Sequence, residues 1–319
     1  MKTSAFEFPS EQSEAYRKAR RYEWLTIVYL LSVVILMYAV LGSSQAMKAA
    51  WIEDLLSLVP PIVFLIATRI AIRPPNKRFP YGYHRAVSIA FLCASLTLFA
   101  VGAWLLGDAV VKLTKAEHPT IGSVSIGGRV VWLGWLMLPV LAWSAIPALL
   151  LGRSKLPLAR KLHDKVLFTD AEMNKADWMT AAAAFVGVIG IGLGYWWADA
   201  TAATIISLSI LRDGFQNLRE VVTNLMDETP KSVEGEEFDP LPDRVRDHLE
   251  GLPWVKAAQV RMREEGHVYF GEAFLVVDDE TPSMHRLEDA ARGCRNLHWR
   301  VHDLVITVVS ELEMDEPTE

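Results

Sequence analysis

Cysteine is nearly absent. The 319 residues hold two, Cys93 in an apolar run and Cys294 in the polar C-terminal region. These two exclude a disulfide framework and a CxxC zinc motif. Charge is sparse as well: Asp, Glu, Lys and Arg make up 22% of the chain against 51% hydrophobic residues, a mixture that fits apolar spans joined to a soluble part. A net charge of −6 with no separate basic domain argues against a nucleic-acid partner. There is no HExxH, no nucleophile elbow and no clustered DxxD at a cytoplasmic helix end, so nothing marks a membrane enzyme. The first apolar run begins near Trp24, after a polar segment rich in acids and bases, and no small-residue cleavage site follows it. It reads as a retained span, not as a signal peptide.

What the chain does have is long apolar runs. About 20 apolar residues cross a bilayer as a helix. Six runs are assigned as spans: Leu25 to Leu41; about Met47 to Ala71, interrupted by Glu53-Asp54 near its start and Pro60-Pro61 in its middle; about Ala86 to Val111; Val130 to Leu151; about Asp170 to Trp197; and a sixth from about Asp199. The sixth is apolar only to Leu211 and continues as a polar-faced helix to about Met226, so five spans plus an amphipathic helix is the alternative. Basic residues alternate between loops. Arg17, Lys18, Arg20 and Arg21 precede the first span, Arg69 to Arg85 carry five cations between the second and third, and Arg153, Lys155, Arg160, Lys161 and Lys165 lie between the fourth and fifth. Positive residues favour the cytoplasmic side, which predicts a multi-pass protein of the cell (inner) membrane with both termini cytoplasmic. Gly190 and Gly194 form a GxxxG in the fifth span, a pattern that lets helices approach closely.

The predicted organisation is a cytoplasmic segment at 1–23, a six-span bundle at 24–228, a linker at 229–239, a cytoplasmic domain at 240–312 and an acidic tail at 313–319. In the cytoplasmic domain, Asp243 to Leu249 and Pro282 to about Cys294 read as helices. Val255 to Arg263 and Val268 to Val277 alternate apolar and polar residues around Glu264-Glu265-Gly266, a hairpin signal, and Val301 to Val309 is a third strand. The fold class is therefore an all-α six-helix transmembrane bundle followed by a small α+β domain of order αββαβ, ferredoxin-like. About 75 residues make a marginal core, which favours dimerisation through this domain.

Asp177 is the residue most suggestive of function. It opens a run from Trp178 to Ala198 without a charged side chain, and a carboxylate at membrane depth marks an ion or proton path. Residues three, four and seven apart share a helix face, so Asp170, Met173, Asn174 and Asp177 line one side of the fifth span, and Glu53 and Ser57 one side of the second. Asp54 lies about 100° round from Glu53. Oxygen ligands suit hard or borderline divalent cations, and no histidine lies on either face. The eight histidines are scattered, His84, His163 and His118 in loops and five in the C-terminal domain, where His298 and His302 have i,i+4 spacing but fall across a predicted turn and strand and read as surface residues; Asp199 reads as a helix cap.

Three segments together resemble the cation diffusion facilitators, proton-coupled exporters of divalent metals. Pro74-Pro75-Asn76-Lys77-Arg78-Phe79-Pro80-Tyr81-Gly82-Tyr83-His84-Arg85-Ala86 is similar to the family's signature loop after the second span. Thr169-Asp170 through Ala176-Asp177 is similar to its fifth span, and Leu225-Met226-Asp227-Glu228-Thr229-Pro230 to the close of its sixth. The resemblance implies a four-residue ion site, with an i,i+4 pair from each of the second and fifth spans. These pairs fall at Glu53 and Ser57, and at Met173 and Asp177, where the family usually has His or Asp followed by Asp. Only Asp177 keeps the common residue. Phe79 replaces a loop histidine, Val87 a signature glutamate, and the cytoplasmic domain lacks the strand histidines that the family uses for extra metal sites. Asp54, Asp170 and Asn174, each within one turn of an expected position, are the candidate replacement ligands.

The implied function is export of a divalent cation (zinc, iron, manganese or similar) in exchange for protons, by a homodimer in the lipid bilayer, with no prosthetic group. The oxygen-dominated ligand set leans towards iron(II), manganese or magnesium, while zinc is the family's commonest cargo. The alternative is a transport-impaired member serving as a heterodimer partner or regulatory membrane protein.

Overall fold

The computed structural model describes residues 9–116, 121–235, 237–278 and 282–312. His118 and the expected acidic tail lie outside them. The chain forms two compact units. One comprises Gln12–Arg69 and Ile89–Val222; the other holds Ile70–Ser88 and the chain from Thr223 onward.

The first unit is helical. α1 spans Ser10–Val40, α2 Gln45–Leu56 and α3 Val59–Ala71. The second expected span is thus two helices with a break at Ser57 and Leu58. The cause is Pro60-Pro61: neither has an N–H, so the carbonyls of Leu56 and Ser57 have no i+4 donor. Ser57 is the C-cap of α2, its N–H bonding back to the Glu53 carbonyl at 2.8 Å, so it stands one turn past Glu53 where α2 ends. α4 follows at Ala86–Thr114, then β1 at Ser123–Ile126 and β2 at Arg129–Trp132.

This short antiparallel hairpin corrects the fourth span, which was expected from Val130. Gly127 and Gly128, at φ +58° and +79°, make the tight turn, and Val130 and Val131 pair with Ser125 and Val124. α5 starts at Gly134 and runs to Leu162. The basic stretch expected to be a loop is therefore mostly the end of a helix, and Lys155 is fully buried. α5 contains three prolines. Pro147 strips the i+4 donor from the Trp143 carbonyl, and the Tyr29 hydroxyl of α1 donates there instead, at 3.0 Å, as well as to the Ser144 carbonyl. His163, at φ +49°, turns the chain into α6 at Lys165–Gly192, whose N-cap Asp164 accepts from Leu167 N at 2.9 Å. α7 is Trp196–Leu225.

Buried stripes at helical spacing make the core: Leu30, Val33 and Met37 on α1, Met47 on α2, Met137 and Leu141 on α5, Ile206 and Ile210 on α7. Large apolar residues also stay exposed, such as Ile35, Trp135, Ile146, Val186 and Leu208, so these helices are apolar on their outer face too. Glycines set the closest approaches. A Cβ on Gly102 would lie 2.8 Å from Leu211 N, and one on Gly187 2.9 Å from the Ala202 Cβ. Gly190 packs on Ala198, but Gly194, at φ +90° with open space around it, shapes the turn instead of a helix contact. Among the described residues four helical segments are long and apolar enough to cross a membrane: Ser10–Val40, Gln45–Ala71, Ala86–Thr114 and Gly134–Leu162. α6 and α7, of 28 and 30 residues, have the length but are not among these four.

In the second unit, α8 (Leu241–Glu250), β3 (Val255–Glu265), β4 (Val268–Val277), α9 (Met284–Leu297) and β5 (Val301–Val309) follow in order. The sheet order is β3-β4-β5, with the first pair antiparallel and the second parallel. Leu241, Val245, Leu249, Tyr269, Ala273, Leu275 and Cys294 fill the core. Asp239 accepts from the Tyr269 hydroxyl at 2.9 Å and from Arg300 Nη1 at 2.6 Å. Burial alone would raise its carboxyl, but Arg300 holds it below the usual carboxylate range. His298 and His302, expected on the surface, are half-buried, and other histidines are buried. His84 is 6% exposed and His267 4%, and the His84 ring lies 5.5 Å from that of His302 and 5.8 Å from Phe270.

Candidate metal centre

α2 and α6, which carry the residues singled out in the sequence, pack against each other. Glu53, half-buried, accepts from Thr180 Oγ1 at 3.0 Å, which ties α2 to α6 one turn beyond Asp177. Asp54 is buried and turns towards α5, where Ser144 Oγ lies 3.1 and 3.2 Å from its two oxygens. Asp177 is buried and within electrostatic reach of both Asp54 and Glu53.

Three side-chain oxygens, one at the end of α2 and two on α6, are buried without a hydrogen-bond partner among the described residues: Ser57 Oγ, Asn174 Oδ1 and Asp177 Oδ2. Buried polar atoms are almost always satisfied, so an orphaned group of them is a place for something else to bind. The donors are a hydroxyl, an amide and a carboxylate, with two further carboxylates alongside. Among the described residues no three His, Cys, Asp or Glu side chains are gathered tightly enough to clamp a metal ion.

Two of the candidate ligands are used otherwise. Asp170 is buried and salt-bridged to Lys155, and it accepts from Asn174 Nδ2 at 3.1 Å. Met173 packs against the apolar core. Asp199 is a cap, as expected, but of a different helix from its own: its carboxylate accepts from Ser44 Oγ, Gln45 N and, at 3.2 Å, Ala46 N at the start of α2.

Sequence reasoning missed Lys155, Glu23, Thr180 and Ser144. The signal was present for two of them. Ala148, Leu151, Gly152, Lys155, Ala159 and Leu162 form one buried stripe at helical spacing, and so do Ala15, Ala19, Glu23, Thr26 and Leu30. A charge lying in such a stripe is a buried charge.

Comparison with known proteins gives the family. The family described as "Cation efflux transmembrane domain" matches residues 24–226. Manganese efflux system protein MneS of Bacillus subtilis is 27% identical over 198 residues, 62% of this chain and 64% of that protein, so the match leaves about a third of that relative uncovered. Manganese efflux system protein MneP of the same organism is 25% identical over 300 residues, 90% of this chain and 92% of that protein. A "Probable cation efflux system protein" of Mycobacterium tuberculosis is 26% identical over 290 residues, 89% of this chain and 78% of that protein. A solved C-terminal domain, the MamM CTD, covers 23% of this chain and 90% of its own length at 17% identity, with a TM-score of 0.20, too low to carry an argument. The match of the family across most of the helical unit, on a chain with several membrane-length apolar helices, makes this a multi-pass membrane protein that belongs to the cation efflux family, the cation diffusion facilitators.

Proposed function

We propose that the protein is a secondary active transporter that exports a divalent metal cation from the cytoplasm in exchange for protons, with manganese as the leading cargo. Its fifth and sixth spans are α6 and α7, both termini are cytoplasmic, the membrane is the cell (inner) membrane, and the working unit is a homodimer joined through the C-terminal domain. The single observation that carries this reading is that oxygens of Ser57, Asn174 and Asp177 are buried without a hydrogen-bond partner among the described residues, with Glu53 and Asp54 of α2 within electrostatic reach of Asp177.

The reasoning runs from donor chemistry. A cation entering between α2 and α6 meets oxygen donors and no histidine or thiolate, which favours hard to borderline ions over zinc. The names of MneS and MneP point the same way for those relatives. Carboxylates bind a metal only when deprotonated, so loading releases protons and unloading allows them back. One set of side chains serving both ions alternately gives exchange without a separate coupling device. The split of the second span at Ser57 places irregular backbone beside the candidate ligands, as broken helices do in other transporters.

The test is flux of Mn²⁺ into proteoliposomes under an imposed pH gradient, with Fe²⁺, Zn²⁺ and Mg²⁺ as competitors. Mn²⁺ movement coupled to opposite proton movement, lost in Asp177→Asn, is the expected result. Undiminished flux in that variant removes Asp177 from the site, and no flux of any divalent ion in the native chain removes the transporter reading.

A further inference from the structure

Glu23 on α1, Lys155 on α5 and Asp170 on α6 form an ion cluster sealed inside the helical unit. The side-chain exposures are 0% for Glu23, 0% for Lys155 and 2% for Asp170. Lys155 Nζ donates to Glu23 Oε2 at 3.2 Å and to Asp170 Oδ2 through a shorter bond. Such a cluster is weak evidence for a stability role, because apolar replacements of similar volume are often as stable. Its geometry has another consequence. The Asp170 carboxylate accepts on Oδ1 from Asn174 Nδ2 at 3.1 Å, and the Asp170 carbonyl accepts from the same nitrogen at 2.8 Å. An amide whose NH₂ is committed on one side offers its oxygen on the other, and Asn174 Oδ1 is buried without a hydrogen-bond partner among the described residues, one turn before Asp177.

We infer that Lys155 is a positioning residue for the cation site: it holds Asp170 as a salt-bridged anchor outside the ligand set, and Asp170 in turn fixes the Asn174 amide with Oδ1 free to take the cation. This rests on the reading that Asp177 binds the transported ion. Without Lys155, Asp170 would be a loose buried carboxylate beside the site, competing for the cation it now helps to receive. With Lys155 in place, the chain supplies its own cation to Asp170 and leaves the amide oriented at no further cost to the ion.

The experiment is Mn²⁺ titration calorimetry on the purified full chain in lipid nanodiscs, with Kd read on folded protein. The native chain binds and Asp177→Asn does not; if either fails, the site reading itself falls and the inference with it. Given that pair, Asn174→Leu weakens binding about tenfold, and Lys155→Arg, which keeps the charge, stays within about threefold. The apolar triad Glu23→Leu, Lys155→Met and Asp170→Leu also weakens binding about tenfold, and adding Asn174→Leu to it costs less than about twofold more, because the amide has already lost its side-chain anchor. If the apolar triad does not fold, the neutral set Glu23→Gln, Lys155→Gln and Asp170→Asn carries the same cycle. Native affinity in the folded triad variant overturns the inference. So does a full tenfold additional loss from Asn174→Leu, which would mean that Asp170 acts independently of Asn174. A plain loss of packing would lower thermal stability without producing this coupling in Kd.

Discussion

Glu53 on α2 and Thr180 on α6 are joined by a 3.0 Å hydrogen bond, and Thr180 stands one helical turn past Asp177. It is a direct link between the two helices that carry the candidate ligands. Glu53→Gln preserves an acceptor for Thr180 but removes a charge, whereas Thr180→Val removes the bond and keeps the charge. In a site shielded from water the charge matters more to a divalent ion than one neutral donor does. Glu53→Gln therefore weakens Mn²⁺ binding by at least about tenfold and Thr180→Val by about threefold. Calorimetric Kd values in the reverse order would place Glu53 outside the site.

Gly214 decides how closely α7 approaches α4. A Cβ built on it would lie 2.5 Å from Phe99 N and 2.7 Å from Phe99 Cα, and backbone cannot swing aside. Gly214→Ala forces the helices apart and costs about 1–3 kcal/mol. Gly107→Ala, on α4 with nothing within 4 Å of the added carbon, is neutral or stabilising by up to about 1 kcal/mol. Thermal unfolding of the two variants in the same detergent tests the contrast; equal melting temperatures would contradict it.

The spans were legible because hydropathy is a property of long windows. α1, α4 and the paired α2–α3 fall within a turn or so of their expected cores, except that α1 reaches back to Ser10. The strand positions of the C-terminal domain follow the alternation read from Val255, Val268 and Val301 almost residue for residue. What was not legible depended on partners remote in sequence. Val130 to Trp132 reads as apolar helix until Gly127-Gly128 is recognised as a turn that pairs it with Ser123 to Ile126. Lys155 reads as a loop cation until Glu23, 132 residues away, is found at its other side. Asp170 and Asp177 share a face on paper; only the packing of α5 gives one to a lysine and leaves the other open. Gly194 completes a GxxxG in the sequence but sits in a turn, whereas Gly102 and Gly214 carry the close helix contact without a motif.

His84 gives the C-terminal unit a dependence on pH. Burial, then the neighbouring His302 and His267, push its imidazole down to about 4. An unfolded histidine titrates near about 6.5, so between that pH and about 4 the unfolded chain carries a proton on His84 that the folded chain does not. Stability from this residue is complete above about pH 6.5 and is lost as pH falls to about 4, by roughly 3 kcal/mol at most. Hydrogen exchange of the segment around His84, corrected for intrinsic rates, should show protection falling from pH 7 to pH 5, and the fall should disappear in His84→Phe. Protection that stays constant in the native chain would contradict the assignment of a buried, neutral imidazole.

Asp199 separates capping from ion binding. Its buried carboxylate serves Ser44 Oγ and the backbone N–H groups of Gln45 and Ala46 at the start of α2. Asp199→Ala leaves those donors buried and unsatisfied at about 1–3 kcal/mol each, while Asp199→Asn retains one acceptor and costs about half as much. Glu53 lies seven residues further along α2 than Ala46, about 10 Å at the helical rise, so the cap is remote from the candidate ligands. Both variants should therefore melt at lower temperature, Ala below Asn, while the folded fraction binds Mn²⁺ with native affinity. Loss of binding at an unchanged melting temperature would move Asp199 from the scaffold into the ion's path.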